Sequence, residues 1–379
     1  MPYWRLSAFY FSYFASLGAL VPFWGLYLQH RGFAPLAIGQ LMGILLGTKI
    51  IAPNVWGWLA DRRGLRMPLV RQASLLSVLC VAGIFAADSF WSIALVMTLF
   101  SFFWNASLPQ LEAVTFNHLA SRVQRYAIVR VWGSIGFIAA VSSLGVVLER
   151  TGTGVIPIMV LVLYVGIWVS SLFIPEGTLP PIAQAGQSVR ALLRRPEVVA
   201  FLTSCFLLQA SHGAYYAFYS IHLANAGYST AAVGGLWAWG VGAEVLVFLR
   251  MHRLLERSGA RSLLLASFAL AVLRWLLIGN FVAIVPVQVL AQTLHAATFG
   301  VFHASAIHLA YHYFPGRTQG RGQALYSSLS FGAGGAAGSL AGGYLWTDAG
   351  PSVTFGVSAL AAALAWLVAW VLVDRDRQF

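Results

Sequence analysis

GWLADRRGLR, residues Gly57–Arg66, is a basic turn set between two long apolar segments. Ala34 to Leu59 before it and Met67 to Ala87 after it are almost uninterrupted hydrophobic sequence. A bilayer core takes about 20 apolar residues as a helix, so each segment is long enough to cross one. The turn then joins two spanning helices and holds their near ends on one side of a membrane. Adding 195 to each number places it on His252–Arg261, HRLLERSGAR, with no gap. Leu59, Asp61, Arg62, Gly64 and Arg66 meet Leu254, Glu256, Arg257, Gly259 and Arg261. At the same offset Phe23, Leu28, Gly32, Phe33, Ile38 and Gly39 meet Phe218, Leu223, Gly227, Tyr228, Val233 and Gly234. Two halves in one orientation, each with its own basic turn, form the pattern of a parallel repeat.

Composition agrees with a membrane protein. The 379 residues are 59% hydrophobic and only 9% charged, with a mean hydropathy of +0.77, which no soluble domain of this length matches. The formal net charge of +12 does not read as nucleic-acid binding, because the arginines occupy alternate loops and not one face. Cys80 and Cys205 both lie in apolar runs and read as buried thiols, not as a disulfide. The N-terminus has no cleavable signal pattern, and Trp4 to Gln29 is too long for a signal core, so it reads as a retained first span.

The apolar runs predict an all-α membrane protein of twelve transmembrane helices in two six-helix pseudo-repeats. The expected spans are 4–29, 35–59, 67–87, 90–118, 126–149, 154–175, 197–222, 230–251, 262–281, 284–313, 320–346 and 351–373. Residues 1–175 form the first half and 197–379 the second. Glu176–Pro196, EGTLPPIAQAGQSVRALLRRP, is the least hydrophobic stretch, carries three prolines and reads as a cytoplasmic linker. Cytoplasmic loops carry an excess of Lys and Arg. One set of loops holds Arg62, Arg63 and Arg66; Arg122 and Arg125; Arg190, Arg194 and Arg195; Arg253, Arg257 and Arg261; and Arg317 and Arg321. Arg5, Arg375 and Arg377 put both termini on that side, while the opposite loops hold little beyond Arg31 and Arg150. Both termini are therefore expected in the cytoplasm, with the chain multi-pass in the inner membrane. GAGGAAGSLAGG, Gly332–Gly343, is a run of small residues that lets helices approach closely, for plain packing or for sliding.

Ionisable groups deep inside spans are costly, and they face a cavity or one another. Five stand out: Lys49, Glu112, Arg130, Glu244 and Arg274. Lys49 lies 12 residues before Asp61, hence about 18 Å along the helix from the basic turn, near the midplane. Glu244 is its repeat equivalent at 49 plus 195, so opposite charges hold matching places in the second and eighth spans. Glu112 and Arg130 are equidistant from the loop centred near Ser121, which predicts one depth and pairing reach, as a structural ion pair or as part of a binding site. His295 and His303 lie within the tenth span and suit the handling of a proton, or else a buried structural role, whereas His308 and His312 lie near its cytoplasmic end. Three cations against two acids leave the interior with a formal +1, which favours an anionic substrate. Tyr13, Trp24 and Trp104 are the aromatics expected at the cavity, with Asn105 as a neutral polar partner. Tyr215 and Tyr219, at i and i+4, are expected to stack on a flat ring.

No enzymatic constellation appears: there is no Walker loop, HExxH or nucleophile motif, and the glycine-rich GVGAE and GAGGAAG lie inside spans. No cofactor and no metal are expected.

GWLADRRGLR resembles the signature cytoplasmic loop of the major facilitator superfamily, and the architecture covers the whole chain. YAIVRVWGSIGF, Tyr126–Phe137, resembles the fifth-helix segment of lactose permease and its relatives, with Arg130, Gly133 and Gly136 in register. The resemblance implies that Arg130, with Glu112, helps hold the substrate. Arg274 and the Leu294–His295 pair resemble the arginine and histidine of the ninth and tenth helices there, and Glu244 is near the place of an eighth-helix glutamate. The acidic residue that follows the histidine by three positions is replaced by Thr298, so proton coupling would fall to Glu244, His295, Glu112 or His303. LHAATFGVFHAS, Leu294–Ser305, together with RVWGSIGF and the length, is more similar to the phenylpropionate permease branch.

The resemblance implies alternating access and proton-coupled import of a small organic anion such as an aromatic carboxylate. Lys49, Arg130 or Arg274 would attract the carboxylate, and Gly57, Asp61, Arg62, Gly64, Arg66, Glu256 and Arg257 would form a cytoplasmic latch. The expected partners are a small-molecule substrate, a proton and the lipid bilayer, with no nucleic acid, and the protein is expected to act as a monomer. Import of a sugar or nucleoside, drug export and a membrane sensor are the alternatives.

Overall fold

The computed structural model describes residues 2–119, 125–177 and 189–373. The loop arginine Arg122, the C-terminal Arg375 and Arg377, and 178–188 of the expected linker lie outside the described residues, as do the side chains of Arg190 and Arg317.

Lipid offers no partner for backbone N–H and C=O groups, so a chain this apolar has to satisfy them within helices. Among the described residues, eleven helical runs are long and apolar enough to cross a bilayer, the third and sixth of them counted with the 3-10 turns Gly83–Ala86 and Thr153–Val155. The first six are α1 (Tyr3–His30), α2 (Pro35–Arg63), α3 (Met67–Ala82), α4 (Phe90–Leu119), α5 (Tyr126–Thr151) and α6 (Ile156–Leu172). Next come α7 (Pro196–Asn225), α8 (Thr230–Phe248) and α9 (Met251–Asn280). Last are α10 (Val285–Tyr313) and α11 (Gln319–Leu372). The difference from the expected twelve lies in α11. It is 54 residues long, but Gly350 breaks it with φ 79° and ψ −179°, a conformation that only glycine adopts at low cost. Gly152, with φ 74° and ψ 174°, has the same conformation where α5 gives way to α6. The expected spans 320–346 and 351–373 thus fall on either side of Gly350.

Helix ends follow the sequence. α1 closes with Phe33 N–H donating to Leu28 O at 3.1 Å, and α7 with Tyr228 N–H donating to Leu223 O at 3.1 Å. The intervening Gly32 and Gly227 have φ 81° and 89°, the glycine cap that ends many helices. Among the described residues two turns are π-helical, Ala296–Val301 in α10 and Ser328–Gly334 in α11.

The contacts divide the chain into two compact units. Unit 1 takes Met1–Phe33, Gly47–Ile182 and Ser229–Ala238; unit 2 takes Ala34–Leu46, Ala183–Tyr228 and Trp239–Phe379. In unit 1, α1 lies backbone to backbone on α5, because Gly136 presses on Phe11 O and Gly18 on Phe137 O. α3 meets α4 through Ser74 and Ser107, whose hydroxyls are 3.3 Å apart. The start of α8 lies on α5, where Thr230 donates to Gly145 O at 2.8 Å. In unit 2 the run Gly332–Gly343 packs on α7: Gly338 meets Ala210 O, and Ser339 donates to Gly213 O at 3.0 Å. On another face of that run, Gly39 of α2 meets Ser339 O and Gly343. Large apolar side chains such as Trp91, Leu249 and Leu360 stand exposed, as lipid-facing residues do.

Candidate functional site

Within unit 1, Lys49 sits half-buried on α2. Its neighbour Thr48 accepts from Asn105 Nδ2 at 2.9 Å and donates to Ser101 Oγ at 3.0 Å, so α4 fixes the rotation of α2 at this level. Among the described residues the ion pairs do not include Lys49, and no hydrogen bond holds its amine. Arg130 is also half-buried. Its guanidinium lies over the Phe14 ring at 3.8 Å and 5.9 Å from Tyr10. Gly133 makes room for this, since a Cβ there would stand 2.7 Å from both Arg130 Nη1 and Phe14 Cδ2.

The expected Glu112–Arg130 ion pair is not formed. Glu112 instead accepts from Tyr126 OH at 3.0 Å, and Arg130 has turned onto Phe14, because an aromatic face also attracts a guanidinium. Lys49 and Arg130 therefore lack an acidic partner within ion-pair distance among the described residues. Tyr13 stacks on Trp104 with centroids 5.0 Å apart, Trp104 lies 6.0 Å from Tyr164, and Trp24 donates to Met97 Sδ at 3.4 Å. These three expected cavity aromatics are at most 5% exposed, spent on neighbouring side chains.

Within unit 2, Arg274 of α9 is fully buried. It donates to Ala291 O at 3.0 Å, to Thr298 Oγ1 at 3.1 Å and to Gln292 Oε1 at 3.4 Å. Its guanidinium also lies 4.3 Å from the Tyr215 ring centre and 4.7 Å from that of Trp275. All its acceptors are neutral, and none is exposed to an incoming ligand. Tyr215 and Tyr219 do share a face, but their rings pack on each other at 4.9 Å. Their hydroxyls donate to Gln292 at 3.1 Å and Gln288 at 3.3 Å, a two-rung ladder from α7 to α10. The rings expected to stack on a flat ligand thus lie on each other, with Tyr215 also beneath Arg274. Glu244 of α8 meets His295 of α10, Oε2 to Nε2 at 3.4 Å. His295 stacks on Phe299 at 5.3 Å, Phe299 on His303 at 6.2 Å, and His303 Nδ1 lies 3.2 Å from Tyr326 OH.

The basic turn is wired as a clamp. Arg66 pairs with Asp61 at 2.9 Å and bonds Gln110 of α4. Glu176 accepts the N–H groups of Arg66 at 3.1 Å and Met67 at 2.8 Å, a carboxylate at the start of α3 where the helix dipole favours it. A Cβ at Gly57 would stand 3.7 Å from Gln110 Nε2, and Gly64, φ 66°, makes the turn. Arg62 lies over Trp58 at 4.1 Å. In the second copy Glu256 pairs with His252 at 3.0 Å, Arg257 is exposed, and Arg261 donates to Val373 O and Trp370 O at 2.8 Å each.

Sequence reasoning missed Thr48, Tyr126, Gln288, Gln292 and Thr298 as partners. The only signal for the two glutamines is their i, i+4 spacing, the same as that of Tyr215 and Tyr219. The cysteines are free, Cys205 buried and Cys80 half-buried.

The family model of the MFS_1 like family matches residues 3–357. Over 376 residues the chain is 33% identical to a protein of Escherichia coli named "Probable 3-phenylpropionic acid transporter", with 94% of each chain covered. It is 26% identical over 376 residues to the maltose permease of Geobacillus stearothermophilus, covering 97% of this chain and 94% of that one. The crystal structure of the nucleoside transporter NupG shares the fold, with a TM-score of 0.83 at 17% identity over 99% of this chain and 100% of that one. The apolar helical runs, the clamp at the basic turn and these likenesses agree: the chain belongs to the MFS_1 like family and is a multi-pass membrane transporter of the major facilitator type.

Proposed function

We propose that this transporter imports a small organic anion of the aromatic carboxylate class together with a proton, by alternating access. The observation that carries the reading is Lys49, a mid-span cation of unit 1 that no ion pair includes among the described residues; Arg130 lies in the same unit, with Glu112 near it but beyond ion-pair distance. A buried or half-buried charge without a counter-charge is costly, and a substrate carboxylate supplies one through charge-assisted hydrogen bonds. The 33% identity to a protein named as a phenylpropionic acid transporter supports the aromatic part of the class. Proton coupling is assigned to Glu244 and His295, which share a contact in unit 2. Uptake of a proton by Glu244 would neutralise an interior charge and favour the conversion of the loaded state. Arg274, held on three neutral acceptors, is assigned to organising this region and not to touching the substrate.

The reading takes α11 as two spans divided at Gly350, giving twelve, in two six-helix halves of residues 1–175 and 197–379 joined by 176–196. The glycine caps at Gly32 and Gly227, 195 residues apart, support the duplication. Both termini are placed in the cytoplasm, the protein in the inner membrane as a monomer, and the Asp61–Arg66 clamp in a cytoplasmic latch.

The test is uptake of 3-phenylpropionate into proteoliposomes under an inwardly directed proton gradient. Accumulation above equilibrium is expected, and Glu244→Gln should abolish it while leaving substrate exchange largely intact. Unchanged accumulation in that variant removes Glu244 from coupling. A second reading, a neutral sugar held by Asn105 and Glu112, is favoured by the 26% identity to a maltose permease; it predicts maltose uptake and none of the carboxylate.

A further inference from the structure

Helix α10 is not uniform. Its turn Ala296–Val301 is π-helical, closed by i→i+5 bonds. Such a turn holds one more residue than an α-turn, so side chains five apart come close to one face, whereas in an α-helix they lie roughly 140° apart. His295 and Gly300 are five apart, and both meet Glu244 of α8. Glu244 Oε2 is 3.4 Å from His295 Nε2. Its Cγ lies against Gly300 so closely that a Cβ there would stand 2.9 Å from it. The same turn is tied from α9, where Arg274 donates to Thr298 Oγ1 at 3.1 Å.

We propose that Gly300, brought beneath Glu244 by the π-helical turn, is a positioning residue that seats the Glu244 carboxylate on His295 and so determines the pH at which that carboxylate takes up a proton. An α-turn would carry position 300 to another face, and any side chain there would displace Glu244. The surrounding groups make the seat matter. α7 contributes Tyr215, its ring 6.2 Å from His295, with Tyr216 and His212 beyond it. α9 contributes Arg274, a permanent cation fixed by three acceptors. α10 adds His303 on the far side of Phe299, and α11 adds Tyr326 on His303. With the cation fixed, displacing the carboxylate changes its distance from both Arg274 and His295, and so its proton affinity. The consequence for transport rests on the coupling role proposed above; the positioning itself does not.

The test is an infrared titration of purified protein without substrate, following the protonated carboxyl band that Glu244→Gln removes. Gly300→Ala should move its midpoint by about one pH unit or more. Gly242→Ala, on the same helix as Glu244 but in open space, should not. His295→Gln should move the midpoint independently. A Gly300→Ala protein that melts as the wild type does, with its midpoint within about 0.3 pH units of wild type, overturns the proposal. Should Gly300→Ala fail to fold, hydrogen exchange of the wild-type amides 296–301 decides: exchange that rises as Glu244 is protonated supports it, and exchange indifferent to that step overturns it. If the midpoint moves in Gly300→Ala while 3-phenylpropionate accumulation keeps its wild-type pH profile, the positioning stands and the coupling role of Glu244 falls.

Discussion

Lys49 is the single lysine of the chain; every other basic side chain that is permanently charged is an arginine. An ammonium is a compact, strongly hydrated point charge on a flexible stem, whereas a guanidinium finds aromatic faces and carbonyl rows to lie against. The arginines behave accordingly: Arg130 rests on Phe14, Arg274 on Tyr215, and Arg71 reaches Ile174 O at 2.8 Å. Lys49 takes no such partner among the described residues, which is why the proposed site assigns it to the substrate carboxylate. A hydrogen bond to a charged group contributes about 1.5–3 kcal/mol, so Lys49→Gln should weaken 3-phenylpropionate binding roughly 10- to 100-fold, measured by calorimetry on purified protein. Because the chain has one ε-amine, acylation read by mass spectrometry on the peptide that contains it reports on Lys49, and 3-phenylpropionate should protect it. Affinity within about twofold of wild type, which is under 0.5 kcal/mol, together with unprotected acylation would take Lys49 out of the site. At this scale the charged candidates were legible because any charge stands out in an apolar run. Their neutral partners, Thr48, Gln292 and Thr298, were not, since uncharged polar residues are common in spans as packing residues.

At the scale of the element, the glycines of α11 divide by what surrounds them. Gly338 presses on the carbonyl of Ala210, so backbone and not a movable side chain limits the space. Gly356, further along the same run, has open space where a Cβ would stand, with no heavy atom within 4 Å. Overpacking a tight contact typically costs about 1–3 kcal/mol, and Gly338→Val should show that loss in thermal unfolding in detergent. Gly356→Ala should lie within about 0.5 kcal/mol of wild type, or gain slightly from helix propensity. Equal melting of the two variants would show that the α7–α11 approach carries no stability. GAGGAAGSLAGG announced a close approach in the sequence, but not its partner helix. The reason is physical. In water a helix shows its rotation through an apolar stripe, whereas in lipid both the outward and the inward faces are apolar, and the stripe disappears. The same loss hid the turning of Arg130 toward Phe14 and of Tyr215 toward Gln292, and a π-turn such as Ala296–Val301 has no propensity signature at all.

For the whole molecule, the two basic turns share a sequence pattern but not a wiring. Arg66 ties α2 to α4 and, through its backbone N–H, to Glu176 beyond α6, whereas Arg261 caps the last carbonyls of α11. What the copies share is therefore the charge they place at the helix ends, and that charge sets orientation: arginines within short loops resist translocation. The glycine-capped turns after α1 and α7 carry almost no such charge, so they should lie on the opposite side. Asn225, exposed at the end of α7, and Arg63, exposed at the end of α2, sample the two sides. In a background with Cys80 and Cys205 replaced, Asn225→Cys should react with a membrane-impermeant maleimide in intact spheroplasts. Arg63→Cys should react only after the membrane is opened. The reverse pattern would invert the topology and place the Asp61–Arg66 clamp outside. Reaction of both in intact cells would mean that the chain inserts in two orientations, which the strong arginine bias argues against, because about 2.5–3.5 kcal/mol per charged residue opposes burying it in the bilayer centre.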